Sequence, residues 1–135
     1  MGVVVFDSDV LIGFLNSDDA HHDAAVKRMR AALAPGVRRL LCAVNYAEIL
    51  IGPLRAGRAE HVKQMLVHFT IETVDVDGTL AETAASVRAR TGLKLPDAFA
   101  LATAVYAERR GWADVTLASF DEQVRKAHAS LSGGQ

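Results

Sequence analysis

The segment Val3-Val4-Val5-Phe6-Asp7-Ser8-Asp9-Val10-Leu11-Ile12 decides the fold. Three β-branched residues and a phenylalanine in a row make a strand with no polar face, the pattern of a parallel strand covered on both sides. Asp7 and Asp9 end the run, and the aliphatic residues that follow predict a short helix over residues 9–15. A strand that turns straight into a helix opens a β-α crossover.

The rest of the chain repeats that alternation. Short aliphatic runs at 39–42, 71–76 and 115–118 predict three more strands, and helical patterns at 20–33, 79–90, 96–110 and 122–130 lie between or after them. Segments 45–54 and 58–69 read as a helical hairpin, with Pro53 and Gly57 marking the break between its arms. Pro96 suits the first turn of its helix and Gly111 its end. The expected class is α/β, a parallel sheet with helices on both faces, in a single domain over residues 1–131 with a mobile tail at 132–135.

Bulk composition narrows the function classes. The chain has 135 residues, half of them hydrophobic, and a formal charge of −1. Roughly two thirds of the unfolded surface is buried at this size, enough for one core. Disorder and a strongly basic tail are both excluded, although local groups of Arg and Lys still allow contact with a polyanion. Cys42 is the only cysteine, which rules out an intrachain disulfide and suits a reducing cytoplasm. The first apolar run is too short for a signal peptide, and residues 98–107 reach only half of the ~20 needed to span a bilayer. A soluble, cytoplasmic protein with no membrane partner is expected.

Five carboxylates interrupt apolar segments. Asp7 and Asp9 follow the first strand, Glu48 breaks Tyr46-Ala47-Glu48-Ile49-Leu50-Ile51, Asp97 opens Ala98-Phe99-Ala100-Leu101-Ala102, and Asp121 follows the last strand. Acids in such company need a partner, because charge is rarely buried alone. In an open parallel sheet ligands bind beyond the carboxyl ends of the strands, where Asp7, Glu48, Asp97 and Asp121 have the positions to meet. Converging carboxylates favour Mg²⁺ or Mn²⁺, and there is no Cys/His cluster for structural zinc. A phosphodiester is the natural substrate of such a site.

Each acid also has an ordinary use. Asp7 fits a turn, Asp9 the first turn of a helix, Asp97 a helix start and Asp121 an N-cap. Glu48 has no evident solvated face to explain it. Ser8 and Ser119 are candidates for holding a carboxylate or a metal-bound water, against roles as turn residues, and Asn45 reads first as a helix cap, with a place behind the metal ligands or against substrate as the alternative. His21 and His22 read as part of a solvated charge run with Asp18, Asp19 and Asp23, and Trp112 as packing. Paired cations such as Arg38-Arg39, Arg109-Arg110 and Arg125-Lys126 read mainly as surface charge. Arg88, Arg90 and Lys94, just before Asp97, are the candidates for following an RNA backbone.

Taken in order, these segments resemble the four motifs of PIN-domain proteins. Val5-Phe6-Asp7-Ser8-Asp9-Val10-Leu11-Ile12 is similar to the first, Asn45-Tyr46-Ala47-Glu48-Ile49-Leu50 to the second, Leu95-Pro96-Asp97-Ala98-Phe99 to the third and Thr116-Leu117-Ala118-Ser119-Phe120-Asp121 to the fourth. The chain departs from the pattern in having Asp9 where Ser or Asn is common, and Ser119 for the commoner Thr. The resemblance implies a PIN-like three-layer α/β/α sandwich with a central parallel sheet of four or five short strands and a helical hairpin. At this length it points to VapC-type toxins. That implies a Mg²⁺- or Mn²⁺-dependent endoribonuclease, usually a homodimer, inhibited by a small VapB-like antitoxin. Asp7 and Asp97 would be the principal metal ligands, Glu48 and Asp121 would complete the shell, and the products would carry 5′-phosphate and 3′-hydroxyl ends.

Two other functions fit parts of the sequence. Asp7-Ser8-Asp9 also matches the Asp-x-Asp pair of a haloacid-dehalogenase-like phosphatase, although no late acidic pair follows Leu95. A PIN domain that binds RNA or protein without cleaving is the non-enzymatic alternative.

Overall fold

The computed structural model describes residues 2–133. Its elements run β1 (Val3–Phe6), α1 (Ser8–Leu15), α2 (His22–Ala32), β2 (Arg38–Cys42), α3 (Ala43–Arg55), α4 (Ala59–His68), β3 (Ile71–Val74), α5 (Gly78–Thr91), α6 (Leu95–Arg109), β4 (Val115–Ala118) and α7 (Glu122–Gly133). The strands form one parallel sheet of four in the order β3-β2-β1-β4. β1 is therefore central, pairing Val5 with Leu40 of β2 on one side and with Leu117 of β4 on the other.

Period-two alternation then assigns the layers. Phe6, Leu41 and Ala118 point into a core with α1, α2, α3 and α4, while Val3, Val5, Leu40 and Leu117 point into a second core with α5, α6 and α7. Val5 and Phe6 are both fully buried, as an unbroken apolar strand requires. The expected α/β/α sandwich is the one observed, with four strands. Among the described residues no helix is long and apolar enough to cross a membrane.

Helix α6 is the most enclosed, with Ala98, Phe99, Ala100, Leu101, Ala102, Thr103, Ala104 and Ala107 all buried. Alanines let it lie close to the sheet, and the buried Thr103 hydroxyl donates to Phe99 O at 2.8 Å. Arg39, on the α1–α4 face, is also structural: its guanidinium donates to the carbonyls of Phe69 and Ala32 at the ends of α4 and α2 and to that of Val37 just before β2. Arg38 pairs through two hydrogen bonds with Glu72 and lies 4.4 Å over the Trp112 ring. Neither cation is a free contact for phosphate, and Trp112 is packing as expected.

Several boundaries differ from the sequence reading. β3 stops at Val74, not 76, because Asp77 is used as the N-cap of α5 and accepts from Leu80 N at 2.8 Å. Pro53 lies inside α3 and does not break it; a proline near the helix end loses only one backbone bond. The turn comes at Gly57, whose φ of 71° allows Arg58 N to donate to Pro53 O at 2.7 Å and so close the helix. Asn45 is not a cap, since α3 starts at Ala43. Of the tail expected to be mobile at 132–135, α7 includes Ser132 and Gly133, and residues 134–135 lie outside the described residues.

Candidate active site

The strand order brings the ends of β1 and β4 together, although more than a hundred residues separate them. Asp7 N donates to Ala118 O at 2.9 Å, extending the ladder one step past β1. The Asp7 side chain, 2% exposed, accepts from Ser8 N at 2.9 Å and from the Ser119 hydroxyl at 2.8 Å. Ser119 Oγ in turn accepts from Asp121 N at 3.0 Å, so its only proton is committed to Asp7. Ser8 contributes its backbone N–H.

Asp9 is tied to the same loop, its Oδ2 accepting from Phe120 N at 3.0 Å. Among the described residues, Asp9 Oδ1 is buried with no hydrogen-bond partner. Asp121 caps α7, with Oδ1 accepting from Gln123 N at 2.8 Å and Val124 N at 3.4 Å. Its second oxygen is not used in the cap. Arg125 donates to Ser119 O at 2.9 Å and supports the loop from beneath.

The other two acids arrive on helices. Glu48 lies one turn into α3, half-buried, with Oε1 accepting from Asn45 Nδ2 at 3.1 Å. Asp97 occupies the first turn of α6, and among the described residues no hydrogen bond acts on its carboxylate.

Electrostatics shows that the five acids share one region. Asp7 is raised to about 7, chiefly by burial and then by the charge of Asp9, with Asp97 adding to the rise and hydrogen bonds from Ser119 and Ser8 opposing it. Burial also raises Asp9, with Asp121 contributing against the Phe120 and Val10 N–H groups. Asp97 is raised by burial, then by the charges of Asp121, Glu48 and Asp9, while Lys94 lowers it. Asp97 thus feels Asp7, Asp9, Glu48 and Asp121, which arrive from three other segments. Such crowding is unfavourable without a compensating cation.

Among the described residues, no three acid, imidazole or thiol groups are already close enough to cage one ion. The donor set nonetheless fits Mg²⁺ or Mn²⁺: it is made only of oxygens, and among the described residues the Asp9 Oδ1 atom is buried and unpaired and no hydrogen bond acts on the Asp97 carboxylate. Mg²⁺ binds through one or two carboxylates and keeps several waters, so it does not need a three-acid cage in advance.

The suggested cations divide. Lys94 sits at the N-cap of α6 within the field of Asp97. Arg88 donates to Leu93 O at 2.7 Å and closes the α5–α6 turn, and Arg90 faces the groove that α5 forms with α6 and α7. Two features were not read from the sequence. His21 stacks on Phe120 at 4.9 Å and Arg28 lies 5.7 Å over the same ring. The Asp9 to Phe120 bond spans 111 residues, and no local pattern announces it.

A helix-covered parallel sheet with acids at its carboxyl edge belongs to the α/β domains that act at a switch in strand order. The family model described as PIN domain matches residues 4–129, and the chain belongs to the PIN-domain family. No curated protein matches the chain. Among solved structures it is similar to a toxin–antitoxin complex from Klebsiella pneumoniae, at 22% identity and TM-score 0.66 over 90% of this chain and 87% of that one. It is also similar to Mycobacterium tuberculosis VapC20, a sarcin-ricin loop cleaving toxin, at 20% identity and TM-score 0.64 over 90% and 92%. A third is VapBC2 from Rickettsia felis, bound to a DNA fragment of its promoter, at 16% and 0.55 over 90% and 100%. These likenesses concern the fold.

Proposed function

We propose that the protein is a divalent-metal-dependent endoribonuclease and the toxin of a toxin–antitoxin pair. The observation that carries the reading is the electrostatic coupling of Asp97 to Asp7, Asp9, Glu48 and Asp121 at one edge of the sheet. Hydrogen bonds hold Asp7, Asp9, Glu48 and Asp121 in place, yet burial and mutual repulsion still raise Asp7, Asp9 and Asp97 together, which structural roles alone do not require. The toxin–antitoxin proteins of similar fold support the toxin role and a small VapB-like antitoxin as partner. The RNA-cleaving relative supports an RNA substrate.

In this reading Asp7 and Asp97 hold Mg²⁺ or Mn²⁺, with Glu48 and Asp121 completing the shell directly or through water. When bound, the ion polarises the scissile phosphate and lowers the pKa of an attacking water. The protein's own groups provide the placement. Ser119 and Ser8 fix both oxygens of Asp7. Asp121 keeps one oxygen for the site while the other caps α7. Lys94 offers a positive charge beside Asp97 for a backbone phosphate.

Membership of the PIN-domain family replaces the dehalogenase-like phosphatase reading, and Asp9 is held by Phe120 N instead of standing free as an acid for a leaving group. The non-catalytic PIN domain stays in competition. Incubating the purified protein with end-labelled RNA, with Mn²⁺ or with EDTA, separates the two. Metal-dependent cuts bearing 5′-phosphate ends are expected; intact RNA under all metal conditions, with RNA still bound, would establish the binding module instead.

A further inference from the structure

We propose that Asn45 is a positioning residue that sets the direction of the Glu48 carboxylate by anchoring it to the start of α6. Asn45 is fully buried, with no fractional exposure at all. Its amide nitrogen donates to Glu48 Oε1 at 3.1 Å and to Pro96 O at 3.1 Å. Both partners only accept, so the amide orientation is fixed: turning it over would set an oxygen against a carboxylate and a carbonyl. The two protons of one group thus join the acid on α3 to the residue that precedes Asp97 on α6.

The contact has a cost that a purely structural residue would avoid. Among the described residues, Asn45 Oδ1 is buried and accepts no hydrogen bond. An unpaired buried acceptor is unfavourable, and an apolar side chain of similar volume would pack here without it. What leucine cannot do is hold Glu48. Three residues apart on one helix, Asn45 and Glu48 share a face, and without the amide the carboxylate is free to rotate away from Asp97, whose charge it opposes.

This inference rests on the metal-site reading above, and the experiment keeps the two apart. Mn²⁺ affinity is measured by calorimetry on the wild type, Asn45→Leu, Glu48→Ala and the double variant, each checked for folding by circular dichroism. Positioning through Glu48 predicts a 10- to 100-fold weaker Kd in Asn45→Leu, the range typical for a residue that orients a ligand. It predicts no further loss when Asn45→Leu is added to Glu48→Ala. An unchanged Kd in Asn45→Leu, or a loss that repeats in full in the Glu48→Ala background, overturns the role. Absence of Mn²⁺ binding by the wild type would instead defeat the metal-site reading itself. If Asn45→Leu does not fold, the side-chain amide signals of Asn45 in ¹⁵N-labelled protein decide: they should move in Glu48→Ala and on adding Mg²⁺ to the wild type. Signals unmoved by both changes overturn the proposal.

Discussion

Ser119 and Asp7 are 112 residues apart in sequence, and the Ser119 hydroxyl donates to Asp7 Oδ2 at 2.8 Å. This bond favours the charged form of an acid that burial strongly disfavours. Ser119→Ala removes it. At pH 8, where Asp7 is charged, the variant should lose about 2 kcal/mol of stability, typical of a hydrogen bond to a charged group. Asp7 should also titrate at still higher pH, so the acid limb of the cleavage profile moves upward. Ser119→Thr, which keeps the hydroxyl, should behave as wild type. A pH–rate profile of Ser119→Ala that overlays the wild type would deny the hydroxyl this role.

Asp7→Asn and Asp97→Asn test the acids directly. Each keeps the shape of the side chain and removes charge that only a cation can compensate. Cleavage of RNA should fall by roughly 10²- to 10³-fold, the scale of losing one preorganised electrostatic contact, while the circular dichroism spectrum is unchanged. Wild-type rates in both variants would refute the nuclease assignment.

Much of this arrangement was legible in the chain because its key strands are unambiguous. Val3-Val4-Val5-Phe6 and Val115-Thr116-Leu117-Ala118 begin and end as expected, since each stops at a polar residue that the site then uses. β3 was misjudged because Val76 looks like strand, and only the capping bond of Asp77 shows that the helix takes precedence. Asn45 is ambiguous for a similar reason: a polar residue near a helix start suggests a cap, and only the folded chain shows partners that include Pro96, 51 residues away. The sequence also carries no local sign that β4 lies beside β1, and that neighbourhood is what joins Asp7 and Asp9 to residues 119–121.

Charge crowding and helix capping make opposite predictions for Asp97→Asn without metal. Among the described residues no hydrogen bond acts on the Asp97 carboxylate, and its carboxyl is raised by burial and by three neighbouring acids. Removing the charge should therefore leave the melting temperature in EDTA at or above that of the wild type. A cap would instead lose about 1 kcal/mol. Adding Mn²⁺ at ~100 times its Kd should stabilise the wild type by about 2.7 kcal/mol and Asp97→Asn by much less. Equal Mn²⁺ shifts in the two proteins would place the ion elsewhere.

The raised Asp7 carboxyl gives the metal-free protein an unusual pH dependence. Its ordinary value is 3.8 and its folded value about 7. Between these limits the folded protein holds a proton that the unfolded chain has released, so stability falls as pH rises through this window. Full ionisation costs about 4 kcal/mol, counted at 1.36 kcal/mol per unit. Asp9 and Asp97 are raised too, and the cluster titrates as a coupled group, so the decline is broad. Urea titrations in EDTA from pH 4 to pH 8 should show this loss, and Asp7→Asn should remove most of it by replacing the buried charge with a neutral amide. Mn²⁺ should reverse the trend, because an ion binds the deprotonated acids and gains affinity as pH rises. A metal-free protein that grows steadily more stable towards pH 8 would show instead that Asp7 is ionised and well paired, and would remove the electrostatic reason for placing a cation there.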